Sequence, residues 1–310
     1  MKGFETNQHA REFWQALKNS VVPLKFAYTG SAAFTHNVLA KQASYKQVAG
    51  ETAIEIEAVM QSIAPKRTSL EVCDIGPGNA MHSILFLSEL QDRDLVLTRY
   101  LALDFSATLL GIAREAIAEN LPALEFHSSI WDFEKSSTEA IRNWRSSTNA
   151  LVTLTGHSLG NAQLPERVLS NIGASCDPGD MLVLGVALMA VDAVKDDIVG
   201  DYENDIFKSA ALEPLRMAGV PVEQGRLSLT FSDAEQAVVG DFVSGAHTNL
   251  QFEDDAITIT PGDKIRCFIS RRFQDEVVRG LLRETRWGLQ SARYSANRSH
   301  GVYACLWGSL

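Results

Sequence analysis

Two glycines in the run Asp74-Ile75-Gly76-Pro77-Gly78 follow an apolar stretch and precede a helical one. Glycine turns tightly and lets a ligand approach the backbone, and the helix behind it offers unpaired N–H groups. A turn of this kind suits a dinucleotide as well as a methyl donor. The third glycine of the dinucleotide fingerprint is absent, and Met81 stands in its place. Asp104 closes the next apolar run, Tyr100-Leu101-Ala102-Leu103, where a carboxylate can accept from both hydroxyls of a ribose. After a third run, Asp132 can accept from an adenine amino group, with Trp131 or Phe133 facing the ring. Singly, each acid has a plainer reading: Asp74 caps a turn, Asp104 caps its helix, and Asp132 is a solvated loop acid. Their succession at three consecutive strand ends points to a nucleoside site.

A fourth string, Gly156-His157-Ser158-Leu159-Gly160, opens a rival chemistry. It fits the GxSxG elbow of serine hydrolases, with His247 or His300 and an acid such as Asp241 downstream. Two features weigh against it. Helical periodicity resumes only at Pro165, although the elbow needs a helix directly after its serine, and no His-Gly-Gly segment upstream offers an oxyanion hole. The esterase stays as the alternative of a different class.

These residues need a frame that presents strand ends. The 310 residues are 45% hydrophobic and 21% charged, an ordinary globular balance. From residue 69, short apolar runs alternate with amphipathic stretches: strands at 70–75, 100–104, 124–127, 150–155 and 181–186, with helices at 107–119 and 137–144 and another opening at Pro165. Apolar strands separated by helices imply parallel βαβ units, whose ligands bind beyond the carboxyl ends of the strands at the topological switch point. A helix at 274–283 and a hairpin from 286–293 and 301–307 would complete the sheet. The fold expected is α/β, a doubly wound Rossmann-like sheet over 66–187 and 273–310. An N-terminal helical segment, 1–65, and an inserted α+β domain, 188–272, would pack together as a lid. Within the insertion, helix is expected over 192–218 and strands at 226–231, 237–243, 256–259 and 264–270.

Net charge is −10, from 28 basic and 38 acidic residues, which argues against a nucleic-acid partner. Four cysteines, Cys73, Cys176, Cys267 and Cys305, lie far apart without metal-ligand spacing and read as reduced core thiols; no metal is expected. The first ten residues are polar, unlike a signal peptide, and no run reaches a membrane-spanning length. A cytoplasmic protein, monomeric or a weak homodimer, is expected.

With these strings in view, the chain resembles the histidine-specific methyltransferase family of ergothioneine-type biosynthesis, from about Lys25 to the C-terminus. Lys25-Phe26-Ala27-Tyr28 with Gly30-Ser31 resembles the family's Lys-Trp-Phe-Tyr-Asp…Gly-Ser segment. Asp74-Ile75-Gly76-Pro77-Gly78 resembles its donor loop, Asp104 its ribose acid, and Trp131-Asp132-Phe133 its adenine-flanking Gly-Asp-Phe. Gly156 to Asn161 resembles Gly-Ser-Thr-Ile-Gly-Asn, and Pro178 to Gly185 follows the family closely. The resemblance implies a class I fold, S-adenosylmethionine as donor, S-adenosylhomocysteine as product and a small-molecule acceptor. Asp74, Gly76, Gly78, Asp104, Trp131, Asp132, Phe133 and Thr155 would hold the donor. Tyr28, Tyr45, Gly156, Asn161, Tyr202 and Ser270 would meet the acceptor, with Tyr28 and Tyr202 orienting the reacting group and Asn161 holding a carboxylate. Two departures concern the acceptor. The family grips the substrate ammonium with a carboxylate where this chain has Phe268, and its Val-Lys-Asp after the fifth strand becomes Met189-Ala190-Val191. Both point away from histidine, toward N-methylation of an amino-acid-derived or aromatic amine; an O- or C-methyltransferase of the same fold is the alternative.

Overall fold

The computed structural model describes residues 3–40, 52–63, 69–146 and 149–308. The chain divides into two compact units, Met1–Gln42 with Asp192–Arg271, and Ala43–Val191 with Arg272–Leu310.

The larger unit is built on β1 (Ser69–Ile75), β2 (Val96–Asp104), β3 (Glu125–Ile130), β4 (Leu151–Leu154) and β5 (Met181–Ala187). These five run parallel in the order β5-β4-β1-β2-β3. The chain builds outward from β1 through β2 to β3, then returns to β4 on the other side of β1, so the switch point lies between β1 and β4. The period-two alternation of the strands divides their residues between two cores. Val72, Tyr100, Leu151 and Val183 pack on one face, and Cys73, Leu101, Val152 and Leu182 on the other. Each such side chain contributes about 1.5–3 kcal/mol when fully buried, so the sheet edge where the site must sit is rigidly backed.

After β5 the chain passes into the smaller unit, whose strands are β6 (Arg226–Ser232), β7 (Ala237–Val243), β8 (Thr248–Phe252), β9 (Asp255–Ile259) and β10 (Lys264–Arg271). They form an antiparallel three-stranded sheet, β10-β7-β6, and a β8-β9 hairpin. The sequence did not signal β8, because its burial is irregular and only Leu250 is buried. The helical stretch near 192–218 is two helices, Lys195–Gly200 and Asp205–Met217, the second capped by Asn204. The N-terminal helices Asn7–Lys18 and Ser31–Ala40, with a 3-10 turn at Leu24–Tyr28, belong to this unit. Val22 N donates to Arg266 O at 2.7 Å, and Lys18 Nζ reaches Asp255 at 2.6 Å.

The chain re-enters the larger unit through the helix Asp275–Glu284 and ends in β11 (Trp287–Tyr294) and β12 (His300–Trp307). β12 lies antiparallel beside β5, with β11 outside it, giving a seven-stranded sheet. The helix Thr52–Ser62 packs on β5, β11 and β12 rather than joining the smaller unit. The helix expected over 137–144 is shortened to Ala140–Trp144, with Thr138 Oγ1 accepting from Ala140 N before its first turn.

Candidate functional site

The donor-like loop leaves β1 at the switch point in a run of left-handed residues: Gly76 at φ 68°, Gly78 at 57° and Ala80 at 60°. The first two positions need glycine, and the third is an alanine that sequence propensity would not place there. A Cβ on Gly76 would fill the space between Ser158 Oγ, 3.8 Å away, and the Phe133 ring, 3.9 Å away. The ends of β1, β3 and β4 therefore converge on this one glycine.

Asp74 anchors the loop from beneath. Its Oδ2 accepts from Ser83 Oγ and from Tyr100 OH at 2.9 Å, and its Oδ1 from Thr153 Oγ1 at 2.8 Å. One carboxylate so ties β1, β2, β4 and the helix Met81–Gln91 together. Burial, then the adjacent Asp74 charge, pushes the Tyr100 phenol well above its ordinary range, so it stays a donor.

Asp104, 6% exposed, ends β2 and accepts from Ser106 N at 2.9 Å. The helix Ala107–Asn120 is capped by Ser106, whose Oγ accepts from Leu109 N at 3.2 Å. The N-cap residue of that helix is thus Ser106 and not Asp104. Trp131 N donates to Asp104 O at 2.9 Å and joins the β2 and β3 ends. The Trp131 indole is in the core, donating to Ser136 O at 2.8 Å, while Phe133 is half-buried and faces the Gly76 turn. Of these two aromatics, Phe133 is the one beside the donor-like loop. Asp132 Oδ1 receives Glu134 N at 3.2 Å, an Asx-type turn that fixes the acid at the strand end.

At the end of β4, Gly156 and His157 are both left-handed, φ 67° and 70°. A one-turn helix, Ser158–Asn161, begins directly at Ser158. Four residues are too few to show periodicity, which is why the sequence placed the next helix at Pro165. The objection to a hydrolase elbow based on a missing helix therefore falls. The hydroxyl geometry supplies another: Ser158 Oγ donates to the Thr155 carbonyl at 3.2 Å, not to an imidazole. Asp241 and His247 belong to the other unit, and Asp241 pairs with Arg266. Asn161 Oδ1 is buried without a hydrogen-bond partner among the described residues, as a group awaiting a ligand would be.

Two polar residues at this edge, His82 and Glu55, went unnoticed in the sequence. Thr155 Oγ1 lies 3.1 Å from His82 Nδ1, and His82 Nε2 lies 2.8 Å from Oε2 of Glu55, itself 1% exposed. His157 stacks with His300 at 5.6 Å between centroids. Burial, and then the charges of Arg272, His300 and His82, lower the His157 imidazole to about 3. An acid on the apolar face of the helix Thr52–Ser62, beside Ile56 and Val59, was the available signal for Glu55.

In the smaller unit, Tyr28, Tyr202 and Phe268 join one apolar cluster. The Phe268 ring is 5.0 Å from Tyr202 and 4.8 Å from Phe207, and Tyr202 OH donates to Ser270 Oγ at 3.1 Å. A bulge between Arg266 and Phe268 resets the face on which β10 presents Phe268 and Ser270. Tyr45 lies outside the described residues. All four cysteines are buried and free; burial pushes Cys267 and Cys305 up to about 12, far from a reactive thiolate. Among the described residues no His/Cys/Asp/Glu group could hold a metal, and no helix is long and apolar enough to cross a membrane.

A glycine cradle that a Cβ would fill, a buried acid at the end of β2 and an acid with an aromatic ring at the end of β3 fit S-adenosylmethionine. Solved structures similar to the chain include a methyltransferase for magnesium protoporphyrin IX from Synechocystis (11% identity, 91% of this chain and 97% of that one, TM-score 0.47). Another is the 1,6-didemethyltoxoflavin N1-methyltransferase of Burkholderia thailandensis (12%, 90% and 89%, TM-score 0.45). A third is an S-adenosylmethionine-dependent methyltransferase from Clostridium acetobutylicum (9%, 88% and 95%, TM-score 0.43). Likenesses this distant carry no argument. No protein of curated function matches the chain. A family profile does match, over residues 10–306, and by it the chain belongs to the S-adenosylmethionine-dependent methyltransferases described as histidine-specific.

Proposed function

We propose that the protein methylates a nitrogen of a small acceptor, an amino-acid-derived or aromatic amine, and that free histidine is not that acceptor. The observation that carries this reading is Phe268. It stands where the family resemblance expects a carboxylate, is 4% exposed, and packs against Tyr202 and Phe207. Stripping one partner from a buried ion pair costs about 3–5 kcal/mol, so a free α-ammonium finds no grip at an aromatic wall. A neutral secondary amine or a ring nitrogen, which brings no free α-ammonium to that wall, does not need one.

The bound donor supplies an electrophilic methyl carbon. The Gly76–Gly78 backbone and Asp104 hold its charged and ribose parts, Asp132 and Phe133 its base, and Thr155 lines the end of β4. Asp74 and Trp131 act from beneath, by fixing the strand ends. The family resemblance assigns Gly156 and Asn161 to the acceptor, and Asn161 Oδ1 is the buried group left for it; Tyr28, Tyr202 and Ser270 carry the same assignment by the resemblance alone. Alignment and exclusion of water are the main work of these groups, since the donor already carries the driving force.

Calorimetry with S-adenosylhomocysteine, followed by a screen of amino acids and aromatic amines as acceptors, tests the reading. Product binding and methylation of a secondary or aromatic amine are expected. Efficient methylation of free histidine overturns the reading of Phe268, and transfer only to hydroxyl or carbon acceptors replaces the N-methyltransferase with its O- or C-counterpart.

A further inference from the structure

We propose that Thr155, His82 and Glu55 form a relay that carries away the proton shed by the acceptor nitrogen. The inference rests on the amine reading above and adds the residues that complete its chemistry.

The three side chains are linked in series: hydroxyl to imidazole at 3.1 Å, imidazole to carboxylate at 2.8 Å. A carboxylate only accepts, so His82 Nε2 carries its hydrogen toward Glu55. In the neutral ring Nδ1 is then bare, and it takes the Thr155 O–H. The Thr155 oxygen is left with lone pairs for whatever stands beyond β4. That end of β4 lies beside the donor loop, since Ser158 Oγ is 3.8 Å from where a Gly76 Cβ would be. A carboxylate buried in the sheet-facing side of a helix is costly unless paired. Here Glu55 Oε2 is paired, while Oε1 has no partner among the described residues and faces Gly185, where a Cβ would meet it at 3.5 Å. A carboxylate serving only to tie two helices would gain from filling both oxygens.

The step balances without oxidant or reductant. The N–C bond forms as the S–C bond breaks, with the electron pair left on sulfur. The nitrogen's proton passes to Thr155 Oγ1, the hydroxyl's own proton to His82 Nδ1, and Glu55 holds the resulting imidazolium. His82, its side chain 18% exposed, returns the proton to solvent. Thr155 is the group that meets the acceptor, and Glu55 is a positioning residue acting through His82.

Nitrogen-15 NMR of histidine-labelled protein, free and with S-adenosylhomocysteine, decides the first half. The expected result is His82 as the Nε2–H tautomer, with an Nδ1 resonance that moves in T155V and not in T155S. The second half uses an amine acceptor from the screen. T155V and E55Q should lower kcat roughly 100-fold, the usual scale of positioned acid–base groups, E55Q with the donor KM within about twofold, and T155S should keep most of the rate. An Nδ1–H tautomer at His82, or an unchanged kcat in T155V, overturns the relay. Product affinity of the parent, measured on the same samples, reports on the donor site separately, and the tautomer is readable whether or not the screen yields an acceptor.

Discussion

The carboxyl edge of the parallel sheet and the aromatic cluster of the smaller unit treat polarity in opposite ways. Along the sheet edge, polar side chains are held in hydrogen-bonded chains: Asp74 with Ser83, Tyr100 and Thr153, Asp104 with the backbone N–H of Ser106, and Glu55 with His82 and through it Thr155. In the cluster, Phe268, Phe207 and Tyr202 meet ring to ring, and Tyr202 OH reaches Ser270. A donor that is the same for a whole enzyme class can be met by fixed polar geometry, which recurs in sequence. An acceptor particular to one enzyme is chosen as much by what an apolar wall refuses as by what it binds.

The comparison breaks first at Asp104. Asp104→Ala should weaken S-adenosylhomocysteine binding by tens-fold or more, about 2–4 kcal/mol for two ribose hydroxyls on one charged acceptor, with the fold retained. Asp104→Asn, which keeps an oxygen for Ser106 N, serves as the control for local disruption. Unchanged affinity in a folded Asp104→Ala protein removes the end of β2 from the donor site.

At the other pole, Phe268→Glu restores a carboxylate to the aromatic wall. Weak calorimetric binding of histidine should appear in this variant and not in the parent, at the cost of a lower Tm, because the new charge enters an apolar cluster. A folded variant that still ignores amino acids separates Phe268 from the ammonium end of the acceptor.

The polar edge also carries an acid sensitivity. His157 is held neutral, near 3 against an ordinary 6.5, while in the unfolded chain it protonates freely. Its contribution to stability is fully present above the ordinary value and declines as pH falls from there toward 3. Asparagine tolerates the left-handed backbone at this position. His157→Asn should therefore flatten the loss of urea midpoint between neutral and mildly acidic pH; an unchanged slope would place the sensitivity elsewhere.

The smallest effect is expected at Ser158, whose hydroxyl only reaches a neighbouring carbonyl. Ser158→Ala should cost about 1 kcal/mol of stability or less and leave product affinity within about twofold. Parent and variant should both be inert toward p-nitrophenyl esters. Ester hydrolysis by the parent that disappears in the variant revives the hydrolase reading.

The five parallel strands, the turn after the first and the acids at the ends of the second and third were legible in the order of residues. Those features are local: period-two burial, glycine at positive φ and a carboxylate one step past an apolar run all leave their mark within ten residues. The tertiary structure alone decided which groups act together. It made Ser106 and not Asp104 the N-cap residue of the helix Ala107–Asn120, turned Phe133 rather than Trp131 toward Gly76, and set the face of Phe268 through a bulge. It also placed Glu55 against His82, and so against Thr155, from a helix that the sequence had grouped with the N-terminal segment. Side-chain direction depends on contacts between residues far apart in the chain, 73 positions for Thr155 and His82 and 237 for Lys18 and Asp255, and no local period records them.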